Sequence, residues 1–413
     1  MDPNFFSDTS YFYHLTNLDL IDISLFIVHP IWPCGHFFLK KVLKKFSNMG
    51  NRSTTQKSTS IPFQMLKVLP TSFERAQCVL YKHELLICGG FGEGNCYSYD
   101  ILKNEYKFIC EYPSHAKLFG HCVVKLLDNN NNKDSNEITL LSFGGYTFSE
   151  KYTLMMNKNY NQWIPFTDNH NHPITIGRYE DNYEGARAVI GGSNNHLLFI
   201  TYLFNDISVF NLNTFQFINH DVLPTNDHTG YHCFVSKSKT NKKNYEMLLF
   251  CKKTGLSIEY DEDNNTFQFY QLLVCDDIAS LNQYSCVCVN GVILFFGGYC
   301  YKDDKQIVSK SVYKYLIQEN KWITFENTLP SPLYNCVAIL NEDNTNIYII
   351  GGKCDKNTEL PTHMKTKLRV WDVSQLSKND IKFVIQYWIR ILKIKLGWVN
   401  DFDKIIIKYS AMS

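Results

Sequence analysis

Neither sign of charge prevails in this sequence: 41 lysine and arginine residues stand against 40 acidic ones, a formal net charge of +1. So even a balance leaves no electrostatic footprint for nucleic acid or an anionic lipid surface, and a partner must be recognised by shape and local chemistry. Charge of either sign is sparse, at 20% of 413 residues, whereas 45% are hydrophobic and 15% aromatic, which excludes disorder for the bulk of the chain. No secretory signal precedes the 14 cysteines, and a chain this long buries a core without cross-links. The cysteines are therefore read as reduced thiols and the protein as cytoplasmic. No apolar run suits a membrane span. The best, Ile23 to Leu39, is broken by Pro30, Pro33 and Gly35, carries His29 and His36, and is followed rather than preceded by Lys40 and Lys41.

Signatures of chemistry are missing too. The spacing C-x-x-C never occurs, and Cys286 and Cys288 form only C-x-C on one strand, so no metal site is expected. Gly89, Gly90, Phe91, Gly92, Glu93 and Gly94 would have to open a helix to cradle phosphate, but a strand leads in and another leads out. His170 and His172, two apart in a loop after Trp163, read as solvated. No nucleophile, acid–base pair or metal constellation stands out. The expectation is no catalytic residue, no metal and no cofactor.

What is present is a long repeat. Four segments run apolar into paired glycines: Leu85 to Gly90, Leu140 to Gly145, Ile293 to Gly298 and Ile347 to Gly352. Leu197 to Tyr202 and Met247 to Lys252 have the run without the glycines. The six recur at intervals of about 50 residues. A short strand precedes each: Ala76 to Tyr81, Gly120 to Lys125, Ala186 to Ile190, Tyr231 to Ser236, Tyr284 to Val289 and Tyr334 to Leu340. A third strand follows and ends in pairs such as Tyr99 and Asp100, Phe210 and Asn211, Tyr260 and Asp261, Tyr315 and Leu316, and Trp371 and Asp372. Seven residues past the first member of five such pairs an aromatic recurs, at Tyr106, Trp163, Phe217, Phe267 and Trp322. Four strands per unit follow.

This pattern resembles the kelch family, whose blade is a strand, an apolar strand closing on Gly-Gly, a strand ending in Tyr-Asp and a strand opening on Trp. The resemblance implies an all-β, six-bladed β-propeller over residues 61–376, with the third and fourth units departing by lacking the glycine pair. Gly191 and Gly192 precede the apolar strand of the third unit and suit a hairpin turn instead. The sixth unit shows no outer strand after Trp371, whereas residues 62–70 look like one, so the ring is expected to close with an N-terminal strand.

Outside the repeat, residues 1–60 are unassigned. Residues 48–60 read as a polar linker; translation from Met49 would give a start matching a myristoylation signal, M-G-x-x-x-[ST]. Residues 129–136, starting with four asparagines, make a solvated insertion between the first two strands of the second unit. Residues 377–413 form an amphipathic helical tail, with Ile381, Val384, Ile385, Trp388, Ile389, Leu392 and Leu396 on one face, which either packs on the propeller or joins a partner or further module.

Cys78, Cys122, Cys233, Cys286 and Cys336, with Ala188, are aligned at one position of the first strands, where a small apolar residue is wanted. The residues just before them, Gln77, His121, Arg187, His232, Ser285 and Asn335, are all polar. Either they hydrogen-bond to neighbouring backbone and stabilise the ring, or they form a polar ring at the mouth of a binding surface. Arg75, Tyr146 and Tyr299 lie at loop edges beside them and could add interface anchors. The candidate partner-binding set is thus Arg75, His121, Tyr146, Arg187, His232, Tyr299 and Asn335. The function expected is a non-catalytic protein-interaction scaffold, a monomeric propeller with a protein partner and no nucleic acid or membrane. The alternatives are an enzyme of the oxidase or sugar-isomerising type found among similar propellers, and a ubiquitin-ligase substrate-recognition subunit, although residues 1–60 show no F-box or BTB pattern.

Overall fold

Each apolar run is the second strand of an antiparallel sheet with sheets on both sides, which is why it loses polar alternation. Leu197–Tyr202, Tyr245–Cys251 and Val292–Phe296 are buried at every residue. The computed structural model describes residues 62–126, 138–145, 150–157, 161–237 and 245–371. The chain divides into two units, Met1–Ser60 and Ile61–Ser413, and all described residues belong to the second. The polar linker, Met49, the asparagine insertion, Tyr146 and the amphipathic tail lie outside them.

Six four-stranded sheets make the blades of a propeller. Strand β1 (Phe63–Met65) belongs to the last of them. The first blade is β2 (Cys78–Tyr81), β3 (Glu84–Gly90), β4 (Glu93–Asp100) and β5 (Glu105–Glu111). The second is β6 (Cys122–Leu126), β7 (Thr139–Gly144), β8 (Tyr152–Asn157) and β9 (Ile164–Pro165). The third is β10 (Arg187–Gly191), β11 (Leu197–Tyr202), β12 (Asp206–Asn211) and β13 (Gln216–Val222). The fourth is β14 (Cys233–Ser236), β15 (Tyr245–Cys251), β16 (Thr254–Asp261) and β17 (Thr266–Leu272). The fifth is β18 (Ser285–Val289), β19 (Val292–Phe296), β22 (Val312–Leu316) and β23 (Lys321–Thr324), with an extra hairpin of β20 (Tyr299–Lys302) and β21 (Lys305–Val308) between its second and third strands. The sixth is β24 (Val337–Leu340), β25 (Asn346–Ile350) and β26 (His363–Lys367), on which β1 pairs antiparallel. Among the described residues, helix is limited to Asp276–Ala279 and a 3-10 turn, Leu368–Val370, and none is long and apolar enough to cross a membrane.

The recurring pairs at the end of the third strands explain themselves locally. Asp100 accepts from the backbone N–H groups of Leu102 and Lys103, Asp261 from Asp263 and Asn264, and Asn211 from Asn213 and Thr214, so an acid or amide there closes the turn into the outer strand. The tyrosine before it donates to an asparagine at a left-handed position: Tyr99 to Asn104 at 2.7 Å, Tyr260 to Asn265 at 2.7 Å and Tyr315 to Asn320 at 2.9 Å. The aromatic seven residues on is then its direct cross-strand neighbour, as in Tyr99–Tyr106, Phe210–Phe217, Tyr260–Phe267 and Tyr315–Trp322, with ring centroids 4.9–5.1 Å apart. Glycine is required where blades meet most closely: a Cβ on Gly351 would lie 2.3 Å from the Phe73 carbonyl, and one on Gly297 2.0 Å from that of Leu333, both at φ of +66°.

Trp371 does not end a third strand. Ile347 pairs with Thr366 as Leu85 pairs with Tyr99, so Thr366 takes the tyrosine position, while Trp371 follows the 3-10 turn and folds back, fully buried. Its Nε1 donates to Thr366 Oγ1 at 3.0 Å, which itself donates to the Pro62 carbonyl at 2.7 Å. Phe63 of β1 packs between Trp371 (5.5 Å) and Phe296 of the fifth blade (6.5 Å). Phe63→Ala is expected to cost about 3 kcal/mol by chemical denaturation, since it empties a buried aromatic site at the ring's closure. A chain beginning at residue 72 should melt at a lower temperature than the full chain; equal melting would show that β1 does not hold the ring closed.

Candidate functional site

The innermost strands begin at one end of the ring, where a common geometry precedes each. Arg75, Gly120, Gly185, Tyr231, Gln283 and Asn335 all have positive φ. Two residues after each comes the residue opposite the end of the second strand: Gln77, Cys122, Arg187, Cys233, Ser285 and Val337, facing Cys88, Phe143, Thr201, Phe250, Phe296 and Ile350. At four junctions the left-handed residue donates its N–H to the equivalent carbonyl of the preceding blade: Gly185 to Gly120 (2.8 Å), Tyr231 to Gly185 (2.8 Å), Asn335 to Gln283 (3.0 Å), and Arg75 to Asn335 (2.9 Å) across the closing junction.

This register corrects the expected alignment of cysteines. Cys122 and Cys233 are equivalent, but Cys78 and Cys286 sit one residue further along their strands and Cys336 one residue earlier. The polar residues before them accordingly divide between three positions. Gln77, Arg187 and Ser285 share the position of Cys122; His121 and His232 stand one residue before it; Asn335 stands two before it, in the left-handed series itself.

His121 and His232 fill a position whose side chain reaches back to the preceding blade. His121 Nε2 lies 2.8 Å from the Cys88 carbonyl, His232 Nε2 lies 2.6 Å from Thr201 Oγ1, and Tyr284 at the same position donates to the Phe250 carbonyl at 2.8 Å. Both histidines are buried. Burial, reinforced by the Arg187 charge, lowers their pKa values from the ordinary 6.5 to about 4 for His121 and about 3 for His232, so both rings are neutral at physiological pH. Of the two readings of the polar residues, these two side chains fit the one that stabilises the ring.

Arg75 is different, because it crosses the mouth of the ring. Its Nη1 lies 3.3 Å from Glu184 Oε1, in the connection leading into the third blade, and its guanidinium lies 4.2 Å from the centre of the Tyr231 ring, at the start of the fourth, and 4.8 Å from that of Phe91. Tyr231 donates to the same Glu184 oxygen at 3.1 Å. Behind Arg75 lies a buried carboxylate, Glu74, which takes Lys353 Nζ at 2.7 Å and Asn335 Nδ2 at 2.6 Å and has Arg75 Nε at 3.5 Å. Tyr299 opens the inserted hairpin beside this cluster, its ring 4.9 Å from that of Tyr334. The structure thus brings Arg75, Asn335 and Tyr299 to one mouth. Glu74, Glu184, Tyr231 and Lys353 belong there too and escaped the sequence reading, although Lys353 directly follows a glycine pair, as Tyr146 and Tyr299 do.

Arg187 opens the innermost strand of the third blade, and its position is central. Its charge is felt by His121 and Cys122 of the second blade, His232 and Cys233 of the fourth and Cys286 of the fifth, a spread open only to a group near the axis. Its Nη1 donates to the adjacent Ala186 carbonyl at 3.0 Å, and its guanidinium stands 5.9 Å from the centre of the Tyr231 ring. Among the described residues no carboxylate lies within ion-pair reach of it. Within this cluster three cations, Arg75, Arg187 and Lys353, stand with two carboxylates, Glu74 and Glu184, and among the described residues Arg187 is the cation of the three without an ion pair.

No known protein family and no curated protein matches this sequence. Solved structures do match, 994 chains of them, so the architecture is widely shared and leaves function to be argued from the site. One, the structure of YjhT, is similar over 73% of this chain and 96% of that one, with a TM-score of 0.54 at 12% identity. At that identity the likeness shows the fold, a nearly all-β propeller of six blades.

The depressed histidines set a pH dependence. The unfolded chain takes up protons as the pH falls through 6.5, whereas folded His121 and His232 do so only near 4 and 3, so stability is full above pH 6.5 and is lost as the pH falls through that window. Each histidine adds a slope of up to about 1.4 kcal/mol per pH unit. Denaturant titrations between pH 7 and 4.5 should give a shallower decline for His121→Gln than for the wild type; parallel curves would show that the ring is not held neutral.

Proposed function

We propose that this protein is a non-catalytic, kelch-type interaction propeller that binds a protein partner at the channel mouth lined by Arg75, Arg187, Tyr231 and Tyr299. The kelch reading rests on the glycine pairs, the Tyr-Asp turns and the cross-strand aromatics, which keep phase around the ring. The observation that carries the functional reading is Arg187, a guanidinium near the axis without a carboxylate partner among the described residues. A cation held without its counter-ion in a partly buried site favours an incoming carboxylate or other anionic group. Around it the rim supplies aromatic anchors. In an antiparallel meander the connections into first strands and those leaving second strands emerge at the same end, so Phe91, Tyr179 and Tyr301, at 38%, 64% and 69% exposure, stand about the same mouth. Every described cysteine is a free thiol, which supports a cytoplasmic setting.

Arg187→Ala removes no ion pair and should change stability by less than about 0.5 kcal/mol. It should weaken partner binding by about 2 kcal/mol, roughly thirtyfold in Kd, as loss of a central arginine does. Affinity capture with wild type, Arg187→Ala and Arg75→Ala reads this directly, and equal recovery of the same proteins by all three would place the partner elsewhere.

A further inference from the structure

The connection from the second blade to the third carries a hairpin tip whose side chains are arranged for a different purpose. Thr167 bridges Pro173, the Asp168 N–H donates to the His172 carbonyl at 2.9 Å, and Asn171 turns the chain at a φ of +64° after donating to the Asp168 carbonyl at 3.1 Å. The stem is tied to the blade by Phe166, whose N–H donates to the Thr153 carbonyl at 3.0 Å and whose carbonyl accepts from Ile174 at 2.7 Å. Asp168 divides its two oxygens. Oδ1 accepts from the backbone N–H groups of His170 (2.8 Å) and His172 (2.9 Å) and so fixes the turn, while Oδ2 faces His172 Nδ1 at 3.1 Å. The His170 and His172 rings lie on the same side, with centroids 6.0 Å apart and planes 25° from parallel.

We propose that Asp168, His170 and His172 bind a divalent transition metal ion such as Zn2+. One donor atom from each lies within 4.8 Å of the others. A tetrahedral zinc with ligands at 2.0–2.1 Å needs donors about 3.3 Å apart; Asp168 Oδ2 and His172 Nδ1 already stand at 3.1 Å, and both imidazoles are exposed, with room to turn toward an ion. Two imidazoles and a carboxylate are a donor set that suits zinc and its first-row neighbours. The carboxylate oxygen committed to the backbone serves as the outer support that orients a ligand. Three protein ligands leave a coordination position for water or for a donor from a partner, at the end of the ring that carries Arg75.

The test uses the full chain, stripped with a chelator, titrated with Zn2+ by calorimetry and with Co2+ by absorption. The expected result is one zinc equivalent whose affinity falls at least about tenfold in each of Asp168→Ala, His170→Ala and His172→Ala. The cobalt spectrum of that equivalent should lack a thiolate charge-transfer band, which separates it from binding to the cysteines. Zinc stoichiometry and affinity unchanged in a His170→Ala, His172→Ala double variant would overturn the assignment, as would a wild-type protein that takes up no zinc.

Discussion

Main chain holds the inner end of this ring at four of its six junctions, and the side chains of His121 and Tyr284 reach across the other two. A residue in the left-handed conformation precedes every first strand, and at four junctions its N–H bonds the equivalent carbonyl of the blade before. That conformation turns the peptide inward to its neighbour, and it costs an ordinary L-residue roughly 1–2 kcal/mol. Glycine avoids the cost at Gly120 and Gly185, where close approach also forbids a side chain: a Cβ on Gly120 would lie 2.3 Å from the Tyr231 hydroxyl, and one on Gly185 2.7 Å from the Tyr231 ring. The remaining positions carry Arg75, Tyr231, Gln283 and Asn335. Three of these four form the mouth cluster with Glu74 and Glu184, so strained backbone and polar surface coincide.

The outer part of the ring depends on the opposite kind of contact. Blades diverge with radius, and the gap is filled by aromatics that bury large area: Trp163 stacks on Tyr112 of the first blade at 4.5 Å, Trp322 meets Phe250 of the fourth at 5.2 Å, and Trp371 meets Phe296 and Phe325 of the fifth. Closure draws on both kinds at one junction. Arg75 donates to Asn335 at the centre, Gly352 to the Phe73 carbonyl at 2.7 Å further out, and β1 completes the sixth sheet at the rim. These contacts join the two ends of the repeat in sequence, so the ring's entropy of closure is met by bonds distributed across the full depth of the blade.

The blades were legible because their second strands are covered on both faces, and double burial writes an apolar run that recurs at an interval of about 50 residues. The turns were legible because Asp100, Asp261 and Asn211 must accept from the two N–H groups that follow. The first strands were located, but their residues were not aligned correctly from one unit to the next. They are four or five residues long and carry no glycine or turn residue at a constant offset, so an alignment by cysteine slipped by one residue at Cys78, Cys286 and Cys336, and a one-residue slip in a strand exchanges its faces. The left-handed residue was the constant feature, and its identities, Arg, Gly, Gly, Tyr, Gln and Asn, share no chemistry. The inserted hairpin of the fifth blade and the place of Trp371 were hidden for a related reason, since both depend on what lies across a blade boundary. Within the site, Arg187 could be found as a polar residue in an apolar strand, and Arg75 as an arginine at a loop edge beside one. Glu74, paired to Lys353 and Asn335 from the far end of the chain, could not.

The electrostatics of the mouth follow from which of its polar groups keep a charge. His121, His232 and Arg187 stand at adjoining positions of neighbouring first strands, and as charged groups they would repel one another across a narrow, weakly solvated space. Burial resolves this by leaving both imidazoles neutral, so that of the three groups the guanidinium alone carries the charge. A neutral histidine still serves as an inter-blade hydrogen-bonding group, and it does so without competing for an anion. The two carboxylates of the mouth are engaged elsewhere, Glu74 by Lys353 and Asn335, Glu184 by Arg75 and Tyr231. What remains is one cation toward the axis, Arg187, which among the described residues has no ion-pair partner of its own.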